Sequence, residues 1–405
     1  MTPLLNVRAD LRPVRAALCY RSMLVAAMAL ASLIPVVSAS GATNHMASSG
    51  LGMQVAELRG MWDGPNRLFA SSVAGSAQTL VVGSLGMDAA FVYQRTDAGY
   101  SQTAVLRAAG TNVRDIFGQA VAIYGRTIVV TAPHHAPSGS AYVFTSTAVG
   151  WKLTARLSTR DLSVGDVFGE SAAVSNDTIV IGANTRYGRG RAYVFGRQGG
   201  GWRQVAEMRG STTRSDDFGY SVALSGAFLA VGAPGTANGG AALVYTRTGS
   251  TWTYKAQLQG LDTVAGDAFG TSVGVAGSTV VVGAWHHGRG GRAYVFVRIP
   301  GRWEQRAELH GNDTTTGDAF GTSVGVTSPR GTTVIVGAWR HARAAGAAYL
   351  FRHSAAGWTQ VAALQGADTT AGDLFGQAVA AFGSYAAIGA VWHAHHEGRA
   401  YVFHL

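Results

Sequence analysis

Cysteine is almost missing from this chain: there is one in 405 residues, Cys19. That excludes a disulfide framework, and it leaves no thiolate chemistry once the segment around Cys19 is removed. Charge is scarce too, at 13% of residues, which suits neither disorder nor long solvated helices. There is no Lys/Arg run of the kind that grips nucleic acid. There is no zincin His-Glu pair, no phosphate loop and no cysteine nucleophile. The apolar run Met23–Val37 is 15 residues long, short of the roughly 20 that a spanning helix needs.

That run follows Arg8, Arg12, Arg15 and Arg21 and ends at Val37-Ser38-Ala39. A basic region, an apolar stretch and small residues at the end read as a secretory signal over residues 1–39. Residues 40–52 then form a linker, and the protein is expected to be exported without membrane insertion: secreted, periplasmic or at the cell surface. Removal of the signal takes away four Arg and one Asp, so 28 basic and 21 acidic residues leave a net charge of about +7. A basic exported protein is biased toward anionic partners.

What the chain has in abundance is glycine, 55 residues, and repetition. Phe69, Phe117, Phe168, Phe218, Phe269, Phe320 and Phe375 recur at intervals of 48, 51, 50, 51, 51 and 55 residues. A period near fifty with several short β runs in each unit identifies a repeat architecture. In one unit, Phe269–Val275 has small side chains, Ser278–Ala284 is an unbroken β-branched run, and Arg292–Arg298 and Trp303–Leu309 alternate. These are four strands with turn residues between them. Small residues suit an axis, a continuous apolar run suits a doubly covered strand, and alternation suits the outer edge. Seven such units predict an all-β, seven-bladed propeller of four-stranded blades over residues 53–405.

The ends predict its closure. The last unit stops after a third strand, Arg399–Phe403, while Met53–Gly60 (MQVAELRG) matches the fourth strand Arg203–Gly210 (RQVAEMRG). The N-terminal strand is expected to complete the last blade and remove the open edges.

Phe-Gly at the start of six of the seven units, with Gly232-Ala233-Pro234 and the near match Thr131-Ala132-Pro133 downstream, resembles the FG-GAP repeat of integrin alpha-subunit propellers and of many secreted bacterial propellers. The resemblance implies a recognition platform in adhesion or extracellular binding. The calcium loop that integrin-like copies carry between first and second strands is not carried over. Those turns are Ala276-Gly277, Ser225-Gly226 and Tyr124-Gly125, and Asp177 is the one acid among them, too few for the six to eight oxygens that calcium takes.

Two loop sets could bear chemistry. Acidic pairs precede the anchoring Phe: Asp161 and Asp166, Asp262 and Asp267, Asp313 and Asp318, Asp368 and Asp373. They read either as a weak divalent-cation loop or as turn caps bonded to backbone N–H groups. No cofactor is otherwise required. Between second and third strands lie His134 and His135; Arg186, Tyr187 and Arg189; Trp285, His286, His287 and Arg289; Trp339, Arg340, His341 and Arg343; and Trp392, His393, His395 and His396. Up-and-down strands place both sets on one face, the ligand-binding face of the resembled family.

Exposed Trp beside Arg could stack on sugars, Arg could grip carboxylate or sulfate, and His393–His396 could bind metal or switch charge. Alternatively, Trp285 and Trp339 replace the loop proline and plug the blade tops, with His and Arg solvated. Gly-Thr-Ser-Val-Gly at 270–274 and 321–325 mimics a nucleophile elbow but lies inside a strand, not at a strand-to-helix turn. The expectation is a monomeric, non-catalytic module binding an anionic protein or polysaccharide. A polysaccharide lyase or hydrolase and a structural envelope component are the alternatives.

Overall fold

The structure is a computed structural model that describes residues 50–60, 66–162, 166–185, 190–210, 216–327 and 333–405. The expected signal segment and the loop residues Arg186, Tyr187 and Arg189 lie outside the described residues.

Seven four-stranded antiparallel sheets form the ring. Blades 1 to 6 are each contiguous, with first strands beginning at Phe69, Val121, Asp166, Ser221, Ser272 and Phe320. Blade 7 takes Phe375–Phe382, Tyr385–Ala390 and Arg399–His404 from the C-terminus and Gln54–Leu58 from the N-terminus. The expected closure is therefore present: Leu58 pairs with Ala400 and Glu57 with Tyr401. The first strand of blade 5 begins later than the sequence pattern predicts. It starts at Ser272, after Gly270 at φ +97° and a turn in which the Thr271 N–H bonds Ala268 O at 3.1 Å.

Phe269 itself points into the core. It is fully buried, tilted against Tyr294 (5.4 Å) and edge-on to Phe296 (6.0 Å), a favourable aromatic geometry. Its backbone N–H bonds Gly239 O of the preceding blade at 2.7 Å. The same link recurs at Phe168, Phe320 and Phe375, and Phe69 N–H reaches Glu397 O at 3.0 Å to join blade 1 to blade 7.

A second seam runs nearer the axis. Ser72, Ser171, Ser221, Ser272 and Ser323 each donate a hydroxyl to the carbonyl of the Phe-Gly glycine in the next blade, at 2.7–2.9 Å. Ser272 and Ser323, the residues that mimic a nucleophile, are thus inter-blade fasteners.

Candidate functional site

The lead-in loops and the loops between second and third strands meet on one face, as expected, because His286 N–H bonds Asp267 O and Arg340 N–H bonds Asp318 O, both at 3.2 Å. What they build there differs from a ring of solvated side chains. In blades 5, 6 and 7 an imidazole stands between two carboxylates. His287 Nδ1 lies 2.8 Å from Asp267, His341 Nδ1 2.9 Å from Asp318, and His393 Nδ1 2.8 Å from Asp373. Their Nε2 atoms face Asp262, Asp313 and Asp368 at 3.2, 3.7 and 3.4 Å. Blade 2 keeps half of the device, His135 on Asp115 at 3.1 Å.

The inner carboxylates Asp267, Asp318 and Asp373 are buried. Each also accepts a backbone N–H, from Val264 (2.6 Å), Thr315 (2.6 Å) and Thr370 (2.7 Å). Of the two readings of these pairs, the turn cap describes the inner Asp of blades 5, 6 and 7. The inner Asp caps its turn, and the histidine separates it from the outer Asp. The outer carboxylates Asp262 and Asp368 accept hydrogen bonds from the Tyr294 and Tyr401 hydroxyls at 2.9 and 2.6 Å. Burial, then the adjacent Asp, pushes both tyrosines far above the ordinary phenol range, so these hydroxyls remain donors.

Trp285 and Trp339 are also corrected. They are 8% and 6% exposed, and with Leu68, Leu85, Ile116, Ala319, Leu374 and Val391 they form one apolar cluster against which Trp392 packs. A side chain covered on this scale cannot offer a face to a sugar. The exposed residues of this set are Arg289, Arg340, Arg343, His134 and His395. The Arg340 guanidinium lies 4.5 Å over Trp339 and 5.9 Å from Trp285, within cation–π range of rings from two neighbouring blades. His286 and His396 are half-buried. His286 is pushed below the ordinary imidazole range, chiefly by burial, and His396 Nδ1 meets Asn66 Oδ1 at 3.2 Å. His393, His395 and His396 therefore do not converge as a ligand set, since His393 and His396 are directed to different partners.

Sequence reasoning missed Asp217. It occupies the position before the anchoring Phe that holds Leu68, Ile116, Ala268, Ala319 and Leu374 elsewhere. It is 8% exposed, and burial, then Asp216 and Glu170, push its carboxyl up to about 6. The folded state holds this proton more tightly than the unfolded chain. Stability from this group is therefore greatest below the ordinary carboxylate pKa, near 4, and declines as pH rises through about 6. At pH 7 the charged carboxylate costs the fold about 3 kcal/mol relative to its solvated state. Asp217→Asn, which also tolerates the φ of +52° found here, should therefore raise stability at pH 7 by about 1–3 kcal/mol. It should also flatten the gain on acidification to pH 4.5, as read by chemical denaturation at both pH values. Equal pH dependence in the two proteins would refute the assignment.

Comparison with known families follows the same repeat. Six segments, residues 100–144, 151–195, 202–245, 252–296, 303–351 and 358–403, match the family described as FG-GAP repeat. Each runs from one blade's fourth strand to the next blade's third. Comparison with curated proteins gives no match. With most of its length covered by these matches and its strands arranged as seven blades, the chain belongs to the FG-GAP repeat family.

Proposed function

We propose that this protein is an exported recognition module whose top face binds an anionic or carbohydrate-bearing partner outside the cell or in its envelope. The observation that carries the reading is the Arg340 guanidinium laid over Trp339 and Trp285, with exposed Arg289 and Arg343 on the same and adjacent loops. An arginine held over aromatic rings is pre-oriented, so less side-chain freedom is lost when it meets a carboxylate or sulfate. Export rests on the N-terminal sequence, and a bias toward anions on the net positive charge.

Catalysis is the weaker reading. General acid–base work needs a group with a nitrogen or oxygen turned toward substrate, whereas His287, His341 and His393 have carboxylates at both ring nitrogens. They also recur around the ring instead of converging on one pocket. A purely structural envelope role would leave the arginines without consequence.

The test is binding of the exported chain to acidic and neutral polysaccharides at low and moderate salt. Charged hydrogen bonds are worth about 1.5–3 kcal/mol each, so replacing Arg289, Arg340 and Arg343 together by Ala should weaken a selective acidic ligand tenfold or more while leaving the melting temperature within a few degrees. Binding that moderate salt erases for every polyanion alike would support the structural role instead.

A further inference from the structure

We propose that blade 5 carries a binding site for a divalent transition ion of the zinc class, with His287 Nε2, Asp262 and Glu308 as its three protein ligands. One ligand atom from each of these residues lies within 4.8 Å of the others. The inference stands apart from the recognition reading, and either can fail without the other.

The chemistry begins with His287. Asp267 Oδ2 already accepts the Val264 N–H, so it must accept from His287 Nδ1 as well, which fixes a proton on Nδ1. When the ring is neutral, its Nε2 lone pair faces Asp262 Oδ2 at 3.2 Å, with Glu308 alongside. Three electron-rich atoms converge, and a cation between them resolves the conflict. A separation of 3.2 Å between ligand atoms is close to the about 3.4 Å edge of a tetrahedron with bonds of 2.0–2.1 Å. One imidazole nitrogen with two carboxylate oxygens favours zinc-like ions over calcium, which takes oxygen alone.

Each of the three is oriented by a group outside the triad: His287 by Asp267, Asp262 by Tyr294 at 2.9 Å, and Glu308 by Arg292 Nε at 2.6 Å. Such outer partners are what metal ligands need to hold their aim. Arg292 is itself held by Gly291 O at 2.8 Å. The three side chains are 47% (Asp262), 13% (His287) and 35% (Glu308) exposed, which leaves the site open to solvent for ion access.

The fold supplies its own controls. Blade 6 has the same His and Asp pair, but Ala363 stands where blade 5 has Glu308. Blade 7 has Glu57 there, yet its carboxylate is shared between Arg59 and Arg399 at 2.8 and 3.2 Å. Only blade 5, among the described residues, brings the third ligand in.

The experiment is calorimetric titration of the untagged, metal-stripped exported chain with zinc chloride at pH 7, repeated with Co2+ to read the visible absorption of a tetrahedral site. The expected result is one equivalent bound, with affinity reduced at least tenfold in Glu308→Gln and in Asp262→Asn, and unchanged in Asp368→Asn, the blade 7 counterpart. Both replaced carboxylates are partly exposed, and circular dichroism checks that each variant is folded. Absence of zinc binding overturns the proposal. So does one equivalent that survives both substitutions, or that is lost instead on replacing His395 and His396.

Discussion

Deleting residues 50–60 should leave a chain that fails to fold as a monomer at 37 °C. The strand Gln54–Leu58 is the outer edge of blade 7, and its removal strips the ring of its clasp. Ala56 and Leu58 are 2% and 0% exposed, and losing buried side chains of this kind costs about 2–5 kcal/mol for the leucine alone. Glu57 meets Arg399 at 3.2 Å, with side chains only 10% and 8% exposed. Removing one partner of a buried pair costs about 3–5 kcal/mol, because the other charge stays buried. Glu397, 3.1 Å from Arg399, offsets only part of this.

The sum exceeds the stability of many domains. It also bares Arg399–His404 as an unpaired edge, which invites pairing between chains. The measurements are thermal denaturation and sedimentation. Supplying residues 50–60 as a separate peptide should restore a cooperative melt, since the same register can form in trans. A deleted chain that melts within a few degrees of the whole one as a monomer would show that the three remaining strands hold blade 7 unaided.

That clasp was legible in the sequence, because MQVAELRG at residues 53–60 matches the fourth strand RQVAEMRG at 203–210, and Arg399–Phe403 matches the third strand Arg292–Phe296. Repetition makes such offsets readable: seven copies average away the ambiguity of one short strand. The face shared by the two loop sets was legible for the same reason.

The chemistry on that face was less so. Whether Trp285 stands in solvent or lies over the axis depends on side-chain direction in a loop, which no period reports. The one hint was its place in the Gly-Ala-Pro slot. The Asp–His clamps did leave a trace. Asp115 and His135, Asp267 and His287, and Asp373 and His393 are all 20 residues apart, a spacing that reading the two loop sets separately concealed. Glu308 left none. It sits in an alternating outer strand, and only the pairing of Tyr294 with Glu308 carries it beside Asp262. Asp217 was hidden by composition, because an acid after an acid in a loop looks solvated until the neighbouring blades cover it.

The second large effect concerns the glycine of the second strand. Gly283→Thr should destabilise the protein by more than about 4 kcal/mol, the range that marks a forced backbone shift in addition to lost contacts. A Cβ built on Gly283 overlaps the Gly321 carbonyl oxygen of the next blade and the Ser272 hydroxyl, and lies 2.8 Å from the Gly321 carbonyl carbon. Backbone cannot rotate away as a side chain can. Gly83, Gly182, Gly232 and Gly337 meet the same obstacle at their own seams, so opening one seam strains a ring that has no slack.

Removing the fastener alone is milder. Ser272→Ala loses one 2.7 Å hydrogen bond, about 1 kcal/mol, with up to about 3 if the Gly321 carbonyl stays buried and unpaired. Blade 2 shows how the two positions are coupled. Thr131 stands in the glycine position and Ala120 in the serine position, and the Thr131 hydroxyl accepts the Ala120 N–H at 3.0 Å. The hydroxyl has moved from the first-strand side to the second strand of the same blade, and the space that Ser272 fills in blade 5 is left for the threonine. Ser272→Ala combined with Gly283→Thr should therefore be more stable than Gly283→Thr alone, an interaction of about 1–3 kcal/mol in a double-mutant cycle. Strict additivity would mean that the clash lies wholly with the Gly321 carbonyl, and that blade 2 accommodates its threonine by a shift of backbone which blade 5 cannot copy.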